Sequence, residues 1–172
     1  MKKSRTTGLW MVFMVISLLS SCSTTPLQNQ KRDFFALIPT LPTDGDMFAK
    51  EAYRTCGPYL QTIFLLTERD LDQYDLYPIL CIAGGVCVLD DKREFAVAHF
   101  SEIRHPEIKL FVGSVLFEKG WASPQIVVFL RHALQDADAS AALAEIVGPH
   151  FQEFRNAVSN TELPNQEMHR TK

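Results

Sequence analysis

Cys81 and Cys87 bracket the run Ile-Ala-Gly-Gly-Val, and His99 closes an Ala-Val-Ala-His segment twelve residues further on. A thiol is a strong nucleophile only as the thiolate. An imidazole within hydrogen-bond reach can take the proton and lower the thiol pKa from its ordinary value of about 8.5. Glycines just before the thiol let the backbone approach a substrate and leave N–H groups free for a developing oxyanion. On that chemistry Cys87 is the candidate nucleophile and His99 the candidate base, with main-chain N–H groups near Gly85 and Val86 as oxyanion donors. A structural reading stands beside it. Free cysteine often behaves as a small buried apolar residue, and a lone histidine in an apolar segment is commonly just hydrogen-bonded. Cys81 either takes a third position in such a site or closes a disulfide with Cys87, which needs Cα atoms within about 7 Å.

The elements that must position these residues follow from the apolar pattern. Pro78 to Leu89 is apolar with Gly84-Gly85 inside it, Glu94 to Phe100 is a second short apolar run, and Asp90 to Arg93 is a polar turn between them. The pattern predicts a β-hairpin. Side chains alternate along a strand, so an even loop over 90–93 sets Cys87 opposite Ala96 and turns His99 to the other face. A bulge or an odd loop brings thiol and imidazole to one face.

Downstream, Pro106 suits a first helical position. Ile108, Phe111, Val112, Val115 and Leu116 recur at helical spacing, and Gly120 supplies the stop. Pro124 to Leu130 (PQIVVFL) reads as a buried strand. Ser140 to Val147 reads as an Ala-rich helix broken at Gly148-Pro149, with Phe151, Phe154 and Val158 continuing a helical stripe. Upstream, Asp46 can cap a helix over Met47 to Arg54 that Gly57-Pro58 ends. Tyr59 to Leu66 fits either a strand or a helical face and is read as helix. The expected fold is a single layered α/β or α+β domain with a β-hairpin, a further strand and packing helices.

The Gly-rich segment ending in Cys87, followed by Ala96-Val97-Ala98-His99, resembles the chemotaxis receptor deamidase CheD and the related cytotoxic necrotising factors. The resemblance implies a protein-glutamine deamidase that works through a thioester-like intermediate, with Cys87 as nucleophile and His99 as base. Cys81 falls where that family carries a threonine, and Val86 stands where it has serine or glycine.

The N-terminus has the layout of an export signal. Lys2, Lys3 and Arg5 precede an eleven-residue run, Leu9 to Leu19, that is apolar except for Ser17. That run is too short for a membrane span, which takes roughly 20 residues, and suits a signal-peptide core. Leu19-Ser20-Ser21-Cys22 resembles the lipobox of bacterial lipoproteins. The resemblance implies cleavage before Cys22, acylation of its thiol with palmitate-type chains and acylation of the new amine. Ser23, by the same resemblance, implies sorting to the outer membrane and a periplasm-facing location.

The expected organisation is a signal peptide over 1–21, a lipidated cysteine and flexible tether over 22–32, a globular domain over 33–158 and a polar tail over 159–172. The signal removes three of the 17 basic residues and leaves about −6 net charge against 20 acidic ones. Three cysteines remain after Cys22, so in the oxidising periplasm at least one stays outside any intramolecular bridge.

No basic stripe suggests nucleic-acid binding. No G-x-S-x-G supports a serine triad, and no lysine follows Gly84-Gly85 as in a phosphate loop. Cys87, His99, His105 and His132 have no recognised metal-ligand spacing. Asp44/Asp46 and Asp136/Asp138 read as helix caps or solvated turns. No cofactor is expected. The expected partners are the bilayer, through acylated Cys22, and either a protein substrate or an envelope protein. Two functions therefore stand side by side: a cysteine–histidine deamidase-like hydrolase, and a non-catalytic outer-membrane lipoprotein acting through protein contacts in envelope assembly or secretion.

Overall fold

The apolar run from Pro78 to Leu89 coils into a helix. In the computed structural model, which describes residues 25–42 and 45–163 with the side chains of 45–50 excepted, Leu76–Cys87 is α-helical and no strand occurs among the described residues. The length of the run is the physical reason. Twelve residues exceed the usual reach of a buried strand, and a helix apolar on every side is one buried on every side. Ile82 to Cys87 are six consecutive buried residues, which fits such a helix.

The α/β or α+β expectation with its β-hairpin is therefore replaced by an all-α architecture. In chain order the helices are α1 (Pro26–Leu37), α2 (Gly45–Cys56), α3 (Leu60–Phe64), α4 (Glu68–Leu71), α5 (Leu76–Cys87), α6 (Arg93–Ala98), α7 (Pro106–Glu118), α8 (Pro124–Gln135), α9 (Ala137–Val147) and α10 (Phe151–Asn160). The polar segment 90–93 does turn the chain, but between helices: the N–H groups of Lys92 and Arg93 both donate to the Leu89 carbonyl, at 2.9 and 3.0 Å.

The second expected strand, Pro124 to Leu130, is the first half of α8. Ile126, Val127, Leu130, Ala133 and Leu134 are its buried residues, a spacing of one helical face. Seven residues showed only the β-branched opening of that stripe. By contrast α7 begins at Pro106 and gives way to Gly120 at φ 72°, and α9 ends at Gly148 at φ 67°, both as the punctuation predicts. Asp136 caps α9 by accepting from the Ala139 N–H at 2.9 Å. Asp44 and the side chain of Asp46 lie outside the described residues.

The α5–α7 pair forms the centre of the core, with α2 also packed on α5 and α8 and α9 against α7. α10 lies over α8 and α9, and Arg131 of α8 ties down its end by donating to the carbonyls of Val158 at 3.1 Å, Ser159 at 3.2 Å and Thr161. At the other edge α1 packs on α3. It starts at Pro26, so residues 26–32, expected as tether, are its first turns.

Gly84 and Gly85 set the spacing at the centre. A Cβ on Gly85 would overlap the Tyr53 ring of α2, and one on Gly84 would overlap the Phe111 ring of α7. Two adjacent glycines thus let a helix approach on each side of α5. That is their use here, since the interior of a helix spends its N–H groups on the carbonyls four residues back. The oxyanion donors expected near Gly85 and Val86 are consumed in that way.

Candidate functional site

Cys87 is the last residue of α5 and has no solvent exposure. Burial alone pushes its thiol up to about 12, far from the range of an activated nucleophile. Cys56, at the end of α2, is equally buried and pushed up to about 11 for the same reason. Cys81 is half-buried on α5. All three are free thiols. A Cys81–Cys87 bridge does not form because six helical residues give about 9 Å of rise, beyond the roughly 7 Å a disulfide tolerates. Cys22 lies outside the described residues.

His99 follows α6 as its C-terminal cap. Its ring stacks on Phe95 with centroids 4.2 Å apart, and its Nδ1 lies 2.8 Å from Glu102 Oε1. Among the described residues no hydrogen bond joins His99 to a thiol. The imidazole is a partly exposed surface group held by a carboxylate and a phenyl ring; the thiol it was expected to serve is enclosed in the core. The structure does not bring the two into a dyad.

The other sequence candidates also separate. His132 is exposed on α8. His105, at the start of α7, is only 6% exposed, and its Nδ1 has no hydrogen-bond partner among the described residues. No three His, Cys, Asp or Glu side chains gather to hold a metal ion among the described residues.

A helical reading would have paired Cys81 with Tyr77, one turn earlier on α5. Tyr77 is 71% exposed, and a hydrogen-bonding contact with Cys81, reinforced by the charge of the thiolate and by slight desolvation, raises its phenol above the usual range. Tyr53 is raised too, first by burial and then by the same thiol. Two phenols thus respond to the half-buried Cys81 thiol, and neither is a base at neutral pH.

Near this corner an open groove of about 560 Å³ is lined by Tyr53, Arg54, Gly57, Pro58, Leu89, Asp91 and Lys92. Its cations are already engaged, Arg54 with Glu51 at 2.9 Å and Lys92 with Asp91 at 3.0 Å. None of Cys81, Cys87 and His99 lines it. Elsewhere Lys109 of α7 lies over the rings of Phe100 and Phe129, 5.4 Å from each centroid, and burial lowers its pKa.

Comparison of the chain with family models, curated proteins and solved structures finds no match.

Proposed function

We propose that this chain is a bacterial lipoprotein, acylated on Cys22 and held at the periplasmic face of the outer membrane, whose helical domain acts through protein contacts in envelope assembly or secretion. The observation that favours contacts over thiol hydrolysis is the state of Cys87: fully enclosed, held protonated, and without an imidazole on its sulfur. The lipobox-like Leu19-Ser20-Ser21-Cys22, set behind a basic segment and a short apolar run, supports the anchor. No helix among the described residues is long and apolar enough to cross a membrane, so on this reading the lipid supplies the attachment.

The test has two arms. Intact mass of the mature protein is expected to show acyl chains on Cys22, and Cys22→Ser is expected to leave the membrane fraction. In a strain lacking the chain, Cys87→Ala and His99→Ala are expected to complement as well as the natural sequence. Loss of complementation by a folded, membrane-bound Cys87→Ala would return the hydrolase to first place.

A further inference from the structure

We infer that the start of α1 is a membrane-apposed surface, held against lipid headgroups by a tether of only three peptide units. This rests on acylation of Cys22, and it adds where the domain stands once anchored.

The argument is one of chain length and of what fixes the end of the chain. A tether over 22–32 would let the domain wander tens of ångströms from the bilayer. The helix that packs on the body instead begins at Pro26, with Thr25 as its N-cap. Thr25 and Gln28 form a reciprocal cap: the Thr25 N–H donates to Gln28 Oε1 at 2.9 Å, and the Gln28 N–H donates to Thr25 Oγ1 at 3.3 Å. Pro26 at the first helical position presets the backbone for that start. Only three peptide units then separate Cys22 from Thr25. Fully extended they span about 10 Å.

The short distance matters only if α1 stays on the body, and four contacts hold it. Phe34 has no exposure. Lys31 Nζ meets Asp70 Oδ2 at 2.7 Å, with both side chains largely covered. Thr62 Oγ1 donates to Gln30 Oε1 at 3.3 Å. Phe35 stacks on Tyr74 with centroids 4.0 Å apart. A helix so attached cannot serve as extra tether, because lengthening the leash would mean exposing Phe34 and breaking the Lys31–Asp70 pair. The Thr25 end of the domain is thereby confined to the headgroup layer.

Neutron reflectometry on the acylated full mature protein, in supported bilayers of phosphatidylethanolamine and phosphatidylglycerol, measures the solvent gap beneath the domain. The expected gap is about 10 Å or less. Inserting twenty Gly/Ser residues between Thr24 and Thr25 is expected to widen it to roughly 25 Å, the root-mean-square span of such a chain. A natural gap already as wide as that of the insertion variant overturns the proposal, and so does a gap the insertion leaves unchanged. Intact mass of the same preparation separates the two readings. A Cys22 without acyl mass defeats the anchor itself, whereas an acylated protein with a wide gap defeats only the apposition.

Discussion

Cys81 and Cys87 stand on one helix, and the two ends of that helix are built from different interactions. At the Cys87 end α5 is enclosed by apolar side chains, with α2 and α7 drawn close over Gly85 and Gly84. At the other end Asp75 caps the first turn by accepting from the Tyr77 N–H at 3.1 Å and Tyr77 projects into solvent, and midway between the ends Cys81 is half-buried. The same residue type six positions apart thus meets opposite surroundings. What a cysteine can do is decided by what packs on it, and a motif in the chain does not carry that information.

The widest gap along this helix is in thiol reactivity. A shift of the Cys87 thiol from about 8.5 to about 12 lowers its thiolate fraction near neutral pH by roughly 10³-fold, before any cost of opening the core. In a brief iodoacetamide pulse at pH 8, Cys81 is expected to be alkylated first. Cys87 and Cys56 should follow only as fast as the domain opens. Peptide mapping reads this directly, and labelling of Cys87 at the rate of Cys81 would erase the contrast.

Packing at the closed end gives the next effect. Alanine at an ordinary helical glycine gains up to about 1 kcal/mol. At Gly85 the added methyl would run into the Tyr53 ring, so the sign reverses and Gly85→Ala is expected to lose roughly 1–3 kcal/mol in urea unfolding. Fluorescence of Trp121, which lies under the Arg93 guanidinium at 5.1 Å, offers a probe. A second change, Tyr53→Ala, should recover part of the loss. If Gly85→Ala is neutral or stabilising, the close approach of α2 is not what the closed end depends on.

How far the sequence announces this follows from the same helix. Punctuation was legible: Pro106 and Gly120 bound α7, Gly148 ends α9, and Asp136 caps it, because these signals act within a few residues. The class of the central element was not. Pro78 to Leu89 lacks an amphipathic period because most of it is buried, and only its length distinguishes helix from strand. The meaning of Gly84-Gly85 depends on Tyr53 and Phe111, about thirty residues away on either side in the chain, so no local reading could supply it. The burial of Cys87 is tertiary in the same way. The Tyr77–Cys81 contact, by contrast, needed only a four-residue helical spacing.

At the first turn of α5 a polar cap is added to the packing of Ile79 and Leu80, and the effects are smaller. Asp75→Ala removes the oxygen that receives the Tyr77 N–H, and loss of a cap of this kind costs about 1 kcal/mol. Asp75→Asn or Asp75→Ser should retain most of it. A Gly85→Ala loss no larger than that of Asp75→Ala would mean the two ends contribute alike.

The smallest effect is one of pH, and its sign separates the regions again. Burial alone would raise the Asp70 carboxyl. The hydrogen bonds from Lys31, from the Thr67 hydroxyl at 2.7 Å and from the Thr67 N–H at 2.8 Å outweigh it, with the Lys31 charge adding to them, and the pKa is lowered. A carboxylate whose folded pKa is depressed stabilises the fold above its unfolded value of about 3.9, and loses that contribution as pH falls through the folded value. Asp70→Asn is therefore expected to be less stable than the natural chain at pH 7, by a few tenths to about 1 kcal/mol for a pair that keeps some contact with solvent. The difference should shrink as pH drops below about 4. The thiols of the closed end titrate only on the alkaline side, so Gly85→Ala should show a loss that does not change between pH 7 and pH 4. A pH-dependent loss there, or a constant one for Asp70→Asn, would break the separation between charge at the α1–α4 pair and packing at the closed end of α5.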